Sequence, residues 1–345
     1  MMDMPEIWLP YGEVEVVLAT GSENLGSIVE SKLSGISQQE INLKPYKNII
    51  IDGRDMSKVV LQKYLGTVSA QADSPTPAIR TVTVDGVDVN IPPNLSDNTL
   101  LVGTTRVDPM YGFLGPHSLV AKELGLDMEV WRRKDGGLHA VNEDNGIWFS
   151  KRLLESCDAD ALFYFDLTKP PIYGQALKVY EELLNIYKVN NLPQKQSKFA
   201  IISAGGSPHD DTLSDALAVA HSIIGYLAED SELIIVAQMK DGLGSPALRG
   251  LVEGKKFKTA AGEQYRSGVE GVAALVELKA TAKVHLVSAL PSAYADRLGV
   301  RLFSSLRDAF KAVQEAHRGR FKANIIKNAS IYHSKKLVQG ASGTG

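Results

Sequence analysis

From residue 199 onward the chain alternates short apolar runs with longer stretches of helical periodicity. No other feature constrains the fold as strongly. The spacing predicts strands at 199–203, 233–239, 284–289, 300–303 and 323–327, and helices at 212–228, 268–281, 292–298 and 305–317. Strands joined through helices pair in parallel, so this half reads as a parallel sheet flanked by helices. Such sheets receive ligands beyond the carboxyl ends of their strands. Two glycine-rich segments fall at such ends, SAGGSPHDD (203–211) and MKDGLGSP (239–246).

The first half is less regular and reads as mixed α/β with hairpins. Residues 6–20 predict a ribbon turning at Tyr11-Gly12, and NIIID (48–52) a short buried strand. Residues 78–91 alternate around Asp85-Gly86, a strong hairpin signal. Helices are predicted at 56–66, 148–158 and 174–188, and strands at 98–107 and 161–167. A further helix is predicted in SLVAKELG, from residue 118, and a short extended piece in GLHAV (137–141). Polar VNNLPQKQSK (189–198) is the linker. The expected organisation is an N-terminal domain over 1–190, a C-terminal α/β domain over 197–335 and a flexible tail over 336–345.

With 345 residues, 44% of them hydrophobic, two cores of ordinary size are affordable. A net charge of -3 without basic blocks argues against nucleic acid or an anionic membrane as partner. No apolar run reaches spanning length. A single cysteine, Cys157, cannot form an internal disulfide, and the N-terminus lacks a signal pattern; both point to the cytoplasm.

Two segments carry candidate chemistry. In SAGGSPHDD the carboxylates of Asp210 and Asp211 lie where a phosphate would meet a helix end, and they would repel it. Three readings stand: a glycine turn with a Thr212 cap, a metal at His209, Asp210 and Asp211, or a carboxylate-binding site built on Gly205, Gly206, Ser207, His209 and Asp210. The second segment is GTTRVDPMYGFLGPHS (103–118). Arg106 could grip a substrate carboxylate through two parallel hydrogen bonds, beside Asp108, and His117 could act as acid/base or ligand. A structural loop with an Arg106–Asp108 pair is the plainer reading. His139, in a glycine-rich turn, completes the candidate set. No H-E-x-x-H, C-x-x-C or G-x-S-x-G is present, and no metal ligand set can be assigned.

Taken in order, ISAGGSPHDDTLSDALAVA, an apolar strand and KDGLGS resemble the C-terminal domain of the nickel-pincer lactate racemase family. LPYGEVEVVL, DGVDVNIPPNLSDNTLLVGTTRVDP and the segments KRLLESCDADALFYFDL and GQALKVYEELLNIYKV are similar to that family's upstream parts, though the stretch before residue 100 looks shortened. The resemblance implies a Rossmann-like C-terminal half and a small 2-hydroxy acid or related carboxylate in an inter-domain cleft. It also implies an isomerase moving a hydride between substrate Cα and a lysine-tethered nickel-pincer nucleotide.

Several positions depart from the family pattern. Met110 stands at the acid/base histidine and Ser118 near the tethering lysine, with Lys122 the nearest amine. Ser214, Asp215 and Ala218 stand where the family has a tyrosine, a glutamine and a lysine. The early Asp/Arg motif is echoed only by Asp52 and Arg54. These departures argue against racemisation through the usual pincer. Three functions follow: altered chemistry at Arg106, Asp108, His117 and His139; racemisation through displaced residues, with Lys122 as tether; or a non-catalytic ligand-binding or regulatory protein.

Overall fold

A computed structural model describes residues 5–30, 41, 43, 46–52, 55–65, 80–84, 87–91, 95, 98–126, 144–165, 169–255 and 268–334. His139, Arg54, the Asp85-Gly86 turn and the tail lie outside them.

The chain opens with β1 (Glu6–Tyr11), β2 (Val14–Ala19) and β3 (Leu25–Val29), followed by β4 (Asn48–Ile51) and helix α1 (Asp55–Leu65). The hairpin strands β5 (Arg80–Val84) and β6 (Val87–Ile91) precede β7 (Thr99–Thr104), β8 (Val107–Asp108), β9 (Gly112–Phe113) and α2 (Pro116–Glu123). Next come α3 (Asp144–Glu155), β10 (Ala159–Tyr164), β11 (Ile172–Gln175), α4 (Ala176–Val189) and β12 (Asn191–Leu192). The remainder is β13 (Ser197–Ser203), α5 (Leu213–Ser222), β14 (Leu227–Val236), α6 (Pro246–Val252) and α7 (Val269–Thr281). It finishes with β15 (Ala282–Val287), α8 (Ala295–Leu298), β16 (Arg301–Phe303), α9 (Leu306–Ala316), β17 (Ala323–Ile326) and β18 (His333–Ser334).

Two compact units emerge. One comprises Met1–Glu30, Asn190–Phe257 and Gly271–Gly345; the other comprises Ser31–Val189 and Lys258–Glu270. The first holds a six-stranded sheet in the order β16-β15-β14-β13-β17-β3, parallel throughout. Its central strands carry continuous apolar runs, as sheets covered on both faces do. Helices α5, α7 and α9 fall between its strands in sequence, which realises the predicted rhythm.

The opening thirty residues do not follow a plain cut near residue 190. β3 pairs with β17 at the sheet edge. The β1–β2 ribbon alternates, burying Ile7, Leu9 and Leu18 against Ile201, Ile234 and Phe310 while Trp8 is 48% exposed. This segment therefore completes the core of the C-terminal unit.

The second unit is built on the order β11-β10-β7-β4, in which β10, β7 and β4 are parallel and β11 is an antiparallel edge. Leu100, Val102, Leu162 and Tyr164 fill its core with Tyr46 and Val60. The predicted hairpin is present as antiparallel β5 and β6.

Element ends differ from the sequence reading in instructive ways. The helix predicted over 212–228 stops at Ser222; a 3-10 turn at Ile224–Tyr226 leads directly into β14. Apolar residues continue through this junction, so periodicity could not mark the stop. α2 starts at Pro116, placing His117 inside the helix rather than in a loop. α6 and β3 were not expected, and the stretch opening the 174–188 prediction is strand β11 before α4 begins.

Candidate functional site

In the β4–β7–β10 sheet the carboxyl ends of three parallel strands are tied together by side chains. Asp52, just past β4, accepts hydrogen bonds from the Thr104 amide at 2.8 Å and hydroxyl at 3.1 Å, and from Ser57 Oγ at 2.6 Å. Ser57 Oγ in turn lies 3.0 Å from the Tyr164 hydroxyl at the end of β10. Sequence reasoning gave Asp52 only as an echo and missed Ser57 and Tyr164. The aspartate directly after the NIII run was the one readable signal, because a carboxylate closing a buried strand needs donors.

Beyond β7 the chain turns through Thr105, whose hydroxyl donates to the Leu114 carbonyl at 2.7 Å. Arg106 follows, 5% exposed, with Nη1 donating to the Val107 carbonyl at 3.2 Å and standing 3.9 Å from Asp108 Oδ2. The expected Arg106–Asp108 pair is therefore present. Asp108 Oδ1 also accepts the amides of Met110 at 2.9 Å and Tyr111 at 3.0 Å, an aspartate-closed turn. One carboxylate thus fixes both the loop and the guanidinium.

His117 is 3% exposed. Its ring meets Phe113 and Tyr180 edge-on at 4.8 and 4.7 Å, and Nε2 lies 3.3 Å from the Tyr111 carbonyl. Burial pushes the Tyr180 phenol up to about 12, so it stays protonated at neutral pH beside the imidazole. Ser118 closes the start of α2: its hydroxyl accepts from the Gly115 amide at 3.0 Å and donates to the Gly115 carbonyl at 2.8 Å. Lys122 Nζ sits 5.5 Å from the centre of the Tyr111 ring. Met110 is 2% exposed.

The SAGGSPHDD turn lies in the other unit, at the end of β13. Asp210 is fully buried, and its Oδ2 accepts the amides of Gly12 at 2.7 Å and Gln238 at 3.0 Å. Burial raises its pKa, against the lowering effect of those two amides. Gly12 returns a carbonyl to the Ser207 amide at 2.8 Å, and the His209 amide is taken by the Gly206 carbonyl at 2.7 Å. Gly206 has φ +74°, and a Cβ there would stand 2.8 Å from the Gly12 carbonyl oxygen. The turn needs glycine because the β1–β2 ribbon presses against it. Asp211 accepts from Ser207 Oγ at 3.1 Å and lies 3.4 Å from Lys240.

Thr212 caps α5 as the sequence suggested, accepting the Asp215 amide at 3.1 Å and donating to its carboxylate at 2.8 Å. The Leu213 and Ser214 amides are satisfied by the Gly242 and Leu243 carbonyls of the second glycine-rich segment. The two glycine turns thus close on each other. Among the described residues no group of three or more His, Cys, Asp or Glu side chains could hold a metal ion. Nor is any described helix long and apolar enough to cross a membrane.

No family model matches the chain, and no curated protein sequence does. Among solved structures, the lactate racemase apoprotein from Thermoanaerobacterium thermosaccharolyticum superposes with a TM-score of 0.68 at 13% identity, covering 96% of this chain and 100% of that one. A protein from Thermotoga maritima matches with a TM-score of 0.47 at 12% identity, covering 80% of this chain and 82% of that one. The chain therefore has a lactate-racemase-like α/β fold.

Proposed function

We propose that this chain is a divergent relative of the lactate racemases that takes a small 2-hydroxy acid or related carboxylate, with Arg106 as the carboxylate partner. One observation carries this reading: a nearly buried guanidinium stands just past β7 at the carboxyl edge of a parallel sheet, where such folds receive ligands. The planar fork of an arginine suits the two oxygens of a carboxylate. Asp108 is the positioning residue, since it holds both the arginine and the loop.

The nickel-pincer nucleotide implied by the resemblance does not fit these residues. By the resemblance the tether position falls near Ser118, whose hydroxyl is committed to the α2 cap, and the acid/base position falls on Met110, which is packed. Lys122 lies over the Tyr111 ring. His117 enters the proposal as an imidazole whose Nε2 lies 3.3 Å from the Tyr111 carbonyl of the same loop.

The reading is tested by thermal shift and calorimetry with D-lactate, L-lactate and L-malate. Saturable stabilisation is expected, worth about 2.7 kcal/mol at a hundredfold excess over Kd. Arg106→Lys, which keeps the charge and loses the fork, should weaken binding by about tenfold, and Arg106→Ala by more. Deuterium wash-in at the lactate Cα then separates turnover from binding. Unchanged binding in a folded Arg106→Ala protein would remove the assignment.

A further inference from the structure

The sheet of the first unit carries a cavity at the end opposite the SAGGSPHDD turn. Glu232 and Lys283 pair on the second rung between β14 and β15, and Arg301 opens β16, so this cavity lies toward the amino ends of the strands. Its volume is about 630 Å³, within the range of small-molecule sites. Val300, Ala312 and Val313 supply a small apolar lining.

Its charge is unbalanced. Lys279, Lys283 and Arg301 line it, against Glu232 and Asp296. Glu232, 5% exposed, is already saturated: it accepts from His285 at 2.6 Å, His317 at 3.0 Å and Lys283 at 3.2 Å. A carboxylate with three donors repels an incoming anion weakly. Lys279 donates to the Leu298 carbonyl at 2.9 Å, which fixes its ammonium at the wall. His285 is 4% exposed; with Nε2 on Glu232, its buried Nδ1 has no hydrogen-bond partner. A neutralised floor, cationic walls and an apolar lining together select a particular ligand chemistry.

We propose that this cavity binds a small oxyanion carrying a compact apolar body, with Lys279 and Arg301 on the oxyanion and the lining of β16 and α9 on the body. Such a site is separate from Arg106 and gives the protein a second ligand.

The test titrates the full chain with benzoate, phenyl phosphate, inorganic phosphate and benzylamine, by calorimetry. Benzoate or phenyl phosphate should bind at one site, at least about tenfold tighter than inorganic phosphate, with no binding of benzylamine. The tighter of the two identifies the oxyanion as carboxylate or phosphate. Arg301→Glu, at an exposed position, should weaken binding by about tenfold or more, and Ala312→Trp should do the same by filling the space without changing charge. Circular dichroism confirms that each variant is folded. Absence of saturable binding by both aromatic probes, equal binding of inorganic phosphate, or binding lost in Arg106→Ala but kept in Arg301→Glu would overturn the proposal.

Discussion

Single residues in this protein do more joining than their sequence positions suggest. Asp210 stitches the β1–β2 turn to the end of β14 through the buried amide of Gly12 and the partly buried amide of Gln238. Asp210→Ala leaves both donors without an acceptor, and each such loss costs about 1–3 kcal/mol. Urea denaturation should therefore show a loss of roughly 2–6 kcal/mol, with Asp210→Asn losing less because its amide oxygen still accepts. Glu232 behaves differently. Burial alone would raise its pKa, but hydrogen bonds from His285, His317 and Lys283 outweigh this and hold it below the usual range. Its contribution to stability is present above the unfolded carboxyl value of about 4.3 and is lost as pH falls through the folded value. Burial holds His285 below its ordinary value despite Glu232, with Arg301 and Lys283 adding to the lowering. The unfolded state takes that proton first, so stability also declines as pH drops below about 6.5. Both signs agree. Glu232→Gln should flatten the acid end of the stability–pH curve, and His285→Gln its upper part, in denaturation series from pH 8 to pH 3.

The elements show why much of the fold was legible and where reading stopped. Central strands β13 and β14 declare themselves by the apolar runs FAII (199–202) and LIIV (233–236), β15 by apolar residues around Lys283 and His285, and α9 by its apolar stripe. β3 carries a glycine and a serine and borrows its stability from β17, so no local pattern marks it. α6 was hidden behind a glycine turn, although Ser245 at its cap and Pro246 at its first position are a readable start signal. The Arg106–Asp108 pair could be read because its members are two residues apart. The Asp52–Ser57–Tyr164 chain could not, because Ser57 and Tyr164 are separated by 107 positions and meet only in the sheet. Helix starts give a sharp prediction. Thr212→Ala removes the cap of α5 and should cost about 1 kcal/mol. Ser118→Lys removes the hydroxyl that bonds both backbone groups of Gly115. It should destabilise α2 by a similar amount, about 1 kcal/mol, so an amine at this position comes at the cost of the cap. Thermal denaturation of both variants beside Ser118→Ala checks this.

At the scale of the whole molecule, the decisive fact is that a unit continuous in space is discontinuous in sequence. The sequence reading divided the chain near residue 190, where the polar linker stands. The rhythm after residue 199 does describe a sheet. That sheet, however, takes its sixth strand and part of its core from residues 6–29. Ile7, Leu9 and Leu18 are 3%, 0% and 2% exposed, and large-to-small changes at such positions cost about 2–5 kcal/mol each. Three together, about 6–15 kcal/mol, are comparable to the whole stability of an ordinary domain, about 5–15 kcal/mol. Asp210 and the Ser207 amide would lose their Gly12 partners as well. A fragment spanning 190–334 should accordingly fail to give a cooperative urea transition. Adding residues 5–30 as a separate peptide, or fusing them after residue 334 through a flexible linker, should restore one. If the 190–334 fragment unfolded cooperatively with native-like stability on its own, the ribbon and β3 would be ornaments on a self-sufficient sheet. The loss of the two Gly12 bonds would then have to be harmless, which the burial of Asp210 argues against.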